Sequence, residues 1–305
     1  MRYKLIGFVL IAALLTGCGA ARQDTAPRDK VSVVASFYPM YEMARAVGGD
    51  HVQVQNLVPP GAEPHDWEPG SKEIQAINSA KVFVYNGAGL EHWVDKTLRS
   101  LDNKQLVVVE ASRGIDLMQG VDTEETEKNA LDPHVWLDPL GAAREVEAIR
   151  DALIKVDPAN RSAYEQNAEA YKEKLNALDQ EYRTGLAACP QKTFFTSHAA
   201  FGYLAKRYGL TQYPIMGLAP DAEPTPKALA DVVATAKKEN IKYIFFETLV
   251  SDKLAKVVAQ EVGAQTLVLN PLEGLTQEEM KAGKDYLAVM RENLANLKTA
   301  LGCAK

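Results

Sequence analysis

Cysteine is scarce in this chain: there are three among 305 residues, and Cys18, Cys189 and Cys303 stand far apart. None has Cys-x-x-Cys spacing, so the sequence offers no thiolate metal site. Histidine is nearly as scarce, with His51, His65, His92, His134 and His198 the full set. The His-Glu-x-x-His signature of zinc proteases is absent. Basic charge is not in excess. The formal net charge is −6, which argues against nucleic acid as a partner. There is no low-complexity tract and no exact internal repeat, and the composition is that of a globular protein. The early apolar run, Leu5 to Leu15, is too short to span a bilayer.

What is present begins with that run. It follows the basic head Met1-Arg2-Tyr3-Lys4 and ends in Leu15-Thr16-Gly17-Cys18. Residues 1–17 therefore read as a signal peptide, and the last four residues resemble a bacterial lipobox, which implies cleavage before Cys18 and lipid on its thiol. Residues 18–30 are small and polar, a flexible tether. Such an anchor places the rest of the chain outside the cytoplasm, at a membrane surface. Loss of Arg2 and Lys4 with the leader leaves 32 basic against 40 acidic residues, a net charge of −8. In an oxidising compartment two leftover cysteines usually pair, so Cys189 and Cys303 are expected to form a disulfide. The alternative is two buried free thiols.

From Val31 onward, strand-like and helix-like stretches alternate. Val31–Phe37, Val52–Val58, Lys81–Tyr85 and Leu106–Glu110 read as strands, with helices between them. A second series, Thr193–Ser197, Tyr213–Met216, Ile241–Phe246 and Ala264–Leu269, repeats the alternation. Between the two runs one long helix, from Ala159 to about Ala188. Its apolar stripe is Tyr164, Ala168, Tyr171, Leu175, Leu178, Tyr182 and Leu186, at steps of three and four. Alternation of this kind implies parallel βαβ units. The expected class is α/β: two βα lobes, residues 31–157 and 189–305, with parallel sheets, joined by a linking helix over 158–188. A single helix from Gln277 to about Leu301 is expected to close the chain.

Three histidines share a setting. His134 lies in Leu131-Asp132-Pro133-His134-Val135-Trp136-Leu137-Asp138-Pro139, which the two prolines predict to be a stiff extended turn. Asp138-Pro139 then reads as a helix cap followed by the first helical residue. His65 lies in Pro64-His65-Asp66-Trp67-Glu68-Pro69, and His198 ends a strand in Thr196-Ser197-His198. Glu273 lies in a comparable loop, Asn270-Pro271-Leu272-Glu273-Gly274. In parallel α/β sheets ligands gather beyond the carboxyl ends of strands. Three imidazoles and one carboxylate suit a borderline divalent ion such as Zn²⁺. Glu247, which ends a buried strand, is a candidate partner for a ligating histidine or an alternative ligand. His92 reads as a surface residue and His51 as part of a turn. The acidic stretch Gly120 to Ala130 reads as a solvated loop.

Taken together, these motifs, with Ser197-His198-Ala199-Ala200-Phe201-Gly202-Tyr203-Leu204 and Phe245-Phe246-Glu247-Thr248, resemble the metal-binding lipoproteins of ABC importers in the cluster A-I (cluster 9) group. Within that group they are most similar to the zinc-binding members. The resemblance runs from the lipobox to the C-terminus. It implies the metal-type periplasmic-binding-protein fold and a ligand set of His65, His134, His198 and Glu273. Zn²⁺ is then the transported ligand, not a resident cofactor. The implied partners are an importer permease with its cytoplasmic ATPase and, through the lipid anchor, the membrane. The chain is expected to be monomeric and not an enzyme. Manganese-binding relatives carry Glu at the third position and Asp at the fourth, where this chain has His198 and Glu273. Many zinc-binding relatives also carry a histidine-rich loop before the second ligand, and residues 119–130 here have only acid. The weaker alternatives are a manganese or iron binder, a surface adhesin and a zinc hydrolase. The last would need an open coordination position and a nearby base.

Overall fold

The computed structural model describes residues 30–121, 130–220 and 224–303. Cys18 and residues 122–129, in the acidic stretch, lie outside them. Valine-rich segments form the first sheet: β1 (Val31–Ala35), β2 (Val52–Asn56), β3 (Val82–Tyr85) and β4 (Val107–Glu110). They are parallel, in the order β2-β1-β3-β4. Between them run α1 (Tyr38–Gly48), α2 (Ser71–Ser79) and α3 (Val94–Ser100). Val82, Phe83 and Val84 are fully buried, as expected of a parallel strand covered on both faces.

Next come α4 (Pro139–Val156) and α5 (Arg161–Leu186). The second sheet consists of β5 (Thr193–Thr196), β6 (Thr211–Pro214), β7 (Tyr243–Phe246) and β8 (Gln265–Val268). It is also parallel, ordered β6-β5-β7-β8. Its helices are α6 (Gly202–Tyr208), α7 (Pro226–Lys238), α8 (Lys253–Val262), α9 (Gln277–Lys281) and α10 (Tyr286–Ala300). The second sheet thus repeats the strand order of the first, an architectural repeat with no counterpart in exact sequence. Among the described residues, no helix is long and apolar enough to cross a membrane.

Local signals set several boundaries. Asp138 caps α4 by accepting from Leu140 N, with Pro139 in the first turn, and Thr225 caps α7 by accepting from Ala228 N. Other boundaries differ from expectation. The segment after Pro133 is not extended throughout. Val135–Leu137 forms a 3-10 turn, because Pro133 restricts the residue before it and leaves those after it free to turn. The C-terminal helix is broken: Gly283 takes a left-handed φ of 70° and Asp285 recaps the chain at Ala288 N. The helix after β5 starts at Gly202, and Ala199 N before it donates to Gly217 O.

Every residue of the predicted α5 stripe is buried. That stripe joins one apolar cluster that includes Val84, Trp136, Phe194, Phe245 and Tyr286, so residues of both sheets share a core through α5. Swinging the sheets apart would expose that core, at roughly 25 cal/mol for each Å² of apolar surface. Removing a bound metal is therefore expected to shift loops while the two sheets keep their mutual orientation. Crystal structures with and without metal would check this, and a rotation of tens of degrees would contradict it.

Candidate metal centre

Each carboxyl edge sends a loop toward the same point. His65 follows β2, His134 lies beyond β4, His198 follows β5 and Glu273 follows β8. Their side chains meet there. Glu273 Oε1 is 3.2 Å from His65 Nε2, 3.3 Å from His134 Nε2 and 3.2 Å from His198 Nε2. His134 Nε2 and His198 Nε2 are 3.3 Å apart. All four candidate donor atoms lie within 4.8 Å of one another. A regular tetrahedron with edges of this length has its centre about 2.0 Å from each vertex, the bond length zinc makes to nitrogen and carboxylate oxygen. Four of the six edges have that length and the other two are no longer than 4.8 Å, so the donor set suits a tetrahedral divalent ion.

Hydrogen bonds aim the rings. A carboxylate can only accept, so His134 Nδ1 donates to Asp132 Oδ1 at 2.8 Å and His198 Nδ1 donates to both Glu247 oxygens at 2.8 Å. Each leaves its Nε2 to face the cluster. Backbone bonds repeat both contacts: His134 N donates to Asp132 Oδ1 and His198 N to Glu247 Oε1. Glu247 therefore sits behind His198 rather than among the four converging donors. Asp132 has the matching role behind His134. Its signal in the sequence is an aspartate two residues before a histidine, within the proline-bounded turn. The connector is further held by Asn86, whose Nδ2 donates to Pro133 O at 3.0 Å. Asn86 follows β3 next to β1, where the first sheet's strand order reverses.

His65 is the member nearest solvent, with 9% of its side chain exposed against 0–1% for the other three. Its backbone N donates to both oxygens of Glu63 at 3.0 Å. Burial, then the charge of Glu273, pushes the Glu63 carboxyl up to about 8. Burial acts on every member of the cluster and pulls His65 below the usual imidazole range. In His198 burial also acts downward, but the Glu247 and Glu273 carboxylates outweigh it and hold the ring well above that range. Burial likewise opposes the charge on Glu273, yet the three imidazoles hold its carboxyl well below the carboxylate range.

The remaining histidines are elsewhere. His92 is exposed and faces Glu68 at 3.2 Å, and His51 packs edge-on against Tyr164. Cys189 and Cys303 are disulfide-bonded, with Cα atoms 4.0 Å apart, and neither joins the cluster.

Residues 33–300 match the family model ZnuA, the periplasmic component A of the zinc-uptake complex. The high-affinity zinc uptake system protein ZnuA of Bacillus subtilis is 44% identical over 312 residues, covering 98% of each chain. The zinc-binding lipoprotein AdcA of Streptococcus pneumoniae is 43% identical over 297 residues; that match takes in 95% of this chain but spans 59% of AdcA. The Zn(II)-bound crystal structure of its ZnuA-like domain has a TM-score of 0.78 and 44% identity, covering 89% of this chain and 99% of the domain. The laminin-binding protein Lmb of Streptococcus agalactiae, described as an adhesin with metal-transporting activity, gives a TM-score of 0.80 at 36% identity, covering 89% of this chain and 99% of Lmb.

Proposed function

This chain belongs to the ZnuA family of periplasmic zinc-uptake components, and we propose that it captures Zn²⁺ between its two lobes and delivers it to an ABC importer. His65, His134, His198 and Glu273 are the proposed ligands. The lobes are residues 31–157 and 189–305, with 158–188 as the linking helix. A lipid on Cys18 holds the protein, as a monomer, at the outer face of the membrane. The observation that supports the reading best is that Glu273 Oε1 lies 3.2–3.3 Å from all three imidazole nitrogens, with the His134 and His198 nitrogens 3.3 Å apart. Three neutral nitrogens and one carboxylate leave a net charge of +1 on a bound zinc, and Asp132 and Glu247 offset it through the rings. A fourth protein ligand fills the place where a hydrolytic zinc would keep its water, so the reading is transport rather than catalysis.

Zinc has to compete with protons for the imidazoles of the cluster. The Glu247 and Glu273 carboxylates hold His198 above the ordinary imidazole range, and the Asp132 and Glu273 carboxylates do the same for His134, so protons compete with zinc for these rings. Zinc binding is therefore expected to release protons, and affinity should fall as pH drops. Calorimetry in buffers of different ionisation enthalpy measures the proton count. Zinc binding with no proton release would mean that the ion does not enter between these imidazoles.

The Lmb likeness supports a second reading, adhesion to a host matrix protein such as laminin. Laminin binding by the apo and zinc-loaded forms, measured side by side, tests it.

A further inference from the structure

Leu272 has a φ of +58°, in the left-handed region, one residue before Glu273, and it is fully buried. A branched side chain there is a strained choice where glycine or asparagine would be at ease. Strain of this kind persists only where the surroundings over-determine the backbone.

Here they do, residue by residue. Asn270 N donates to Asn293 Oδ1 at 2.8 Å, and Asn293 Nδ2 donates back to Asn270 O at 2.7 Å. Asn270 Oδ1 accepts from Leu272 N at 2.8 Å, which closes the left-handed turn. Trp136 Nε1 donates to Pro271 O at 2.8 Å, and Tyr286 Oη donates to Trp136 O at 2.5 Å. Trp136 lies two residues after His134. One side chain thus ties the His134 connector to the loop that carries Glu273.

Resting on the zinc reading above, we propose that Leu272 is a strained latch. Trp136 and Asn293 hold it closed, and it presents Glu273 to the three imidazoles and sets how readily the metal leaves. Relaxation of Leu272 toward ordinary backbone angles turns the chain one residue before the carboxylate and carries Glu273 out of the cluster. The loop also touches the His65 segment, through Gly61 N donating to Leu275 O at 3.1 Å, so the loops of His65 and Glu273 share a boundary. Trp136 and Asn293 are positioning residues in this scheme. Neither touches the metal.

The test is a rescue. Trp136→Phe keeps an aromatic ring and removes the donor to Pro271 O. Asn293→Ser shortens the clamp on Asn270 from a different helix. Each is expected to speed zinc release to a chelator about five- to tenfold, the effect of one buried hydrogen bond. Glycine takes left-handed angles without strain. Adding Leu272→Gly to either variant should therefore slow release again, to within about threefold of wild type, although it deletes a buried side chain. A merely structural role for Leu272 gives the opposite sign, with the double variant releasing zinc faster than the single. That result in both backgrounds overturns the latch, and in a case where one single variant does not fold, the other decides. His134→Ala is the control: if it leaves zinc affinity unchanged, the ligand assignment has failed, whereas an intact control beside failed rescues sinks the latch alone.

Discussion

Replacing His134 with alanine should lower zinc affinity by more than about a thousandfold, beyond the roughly 10- to 100-fold that removal of an outer hydrogen-bond partner costs. His134 is completely buried. The void left by its ring lies among Asp132, Trp136 and Glu273, where a replacement water has little access. The Asp132 carboxylate would keep the backbone N–H of residue 134 but lose the imidazole N–H it also accepts from, and a buried carboxylate that loses a donor is costly. Glu273→Ala should do less harm. Three imidazoles with a water in the fourth place is an established zinc geometry, although the second zinc charge then goes uncompensated. Asp132→Ala and Glu247→Ala should fall in the outer-partner range. Competition against a chromophoric chelator places all four variants on one scale. Unchanged affinity in Glu273→Ala beside a large loss in Glu247→Ala would show that the wrong carboxylate has been assigned as ligand.

Much of this centre was legible because its parts depend on short-range chemistry. The valine-rich runs and the spacing of the α5 stripe follow from side-chain periodicity. The cap-and-proline starts at Asp138 and Thr225 follow from local hydrogen bonding. Placing His65, His134, His198 and Glu273 beyond strand ends needed only the alternation of strands and helices. What was not legible depends on partners distant in sequence. Ala199, just before α6, is pinned by its N–H donating to Gly217 O. The left-handed Leu272 is held by Asn293 and Trp136, and Trp136 is 135 positions away from the Pro271 carbonyl it binds. Asp132 was visible as a turn former, but that it accepts from His134 Nδ1 shows only once the ring's Nε2 is seen to face Glu273 and His198. The matching order of the two sheets leaves no exact trace in sequence because parallel strands require apolar character, not particular residues.

The disulfide should have the largest effect on stability and almost none on metal binding. Cys189 follows α5 and Cys303 follows α10, so the bond ties the end of the long helix to the end of the last one. The bonded residues are 114 positions apart. In the chain-entropy account, closing a loop of this length restricts the unfolded chain by roughly 4–5 kcal/mol. The enclosed segment contains the whole second sheet, together with His198 and Glu273. Cys189→Ser with Cys303→Ser is therefore expected to lower the melting temperature by roughly 10 °C or more, at about 2–4 °C per kcal/mol for a chain of this size. The native state opposes part of this loss. Gln191 N donates to Leu301 O at 3.2 Å, so the two chain ends stay paired beside the missing bond. Leu186 and Leu301 remain buried in the shared core. Zinc affinity measured well below the melting point should match that of the intact protein, because neither cysteine belongs to the metal cluster. Denaturant unfolding of the oxidised protein and the double-serine variant, both metal-free, gives the difference directly. A loss below about 1 kcal/mol would show that residual structure in the unfolded chain already closes this loop. A large loss of zinc affinity at low temperature would show instead that the bond shapes the site through β5.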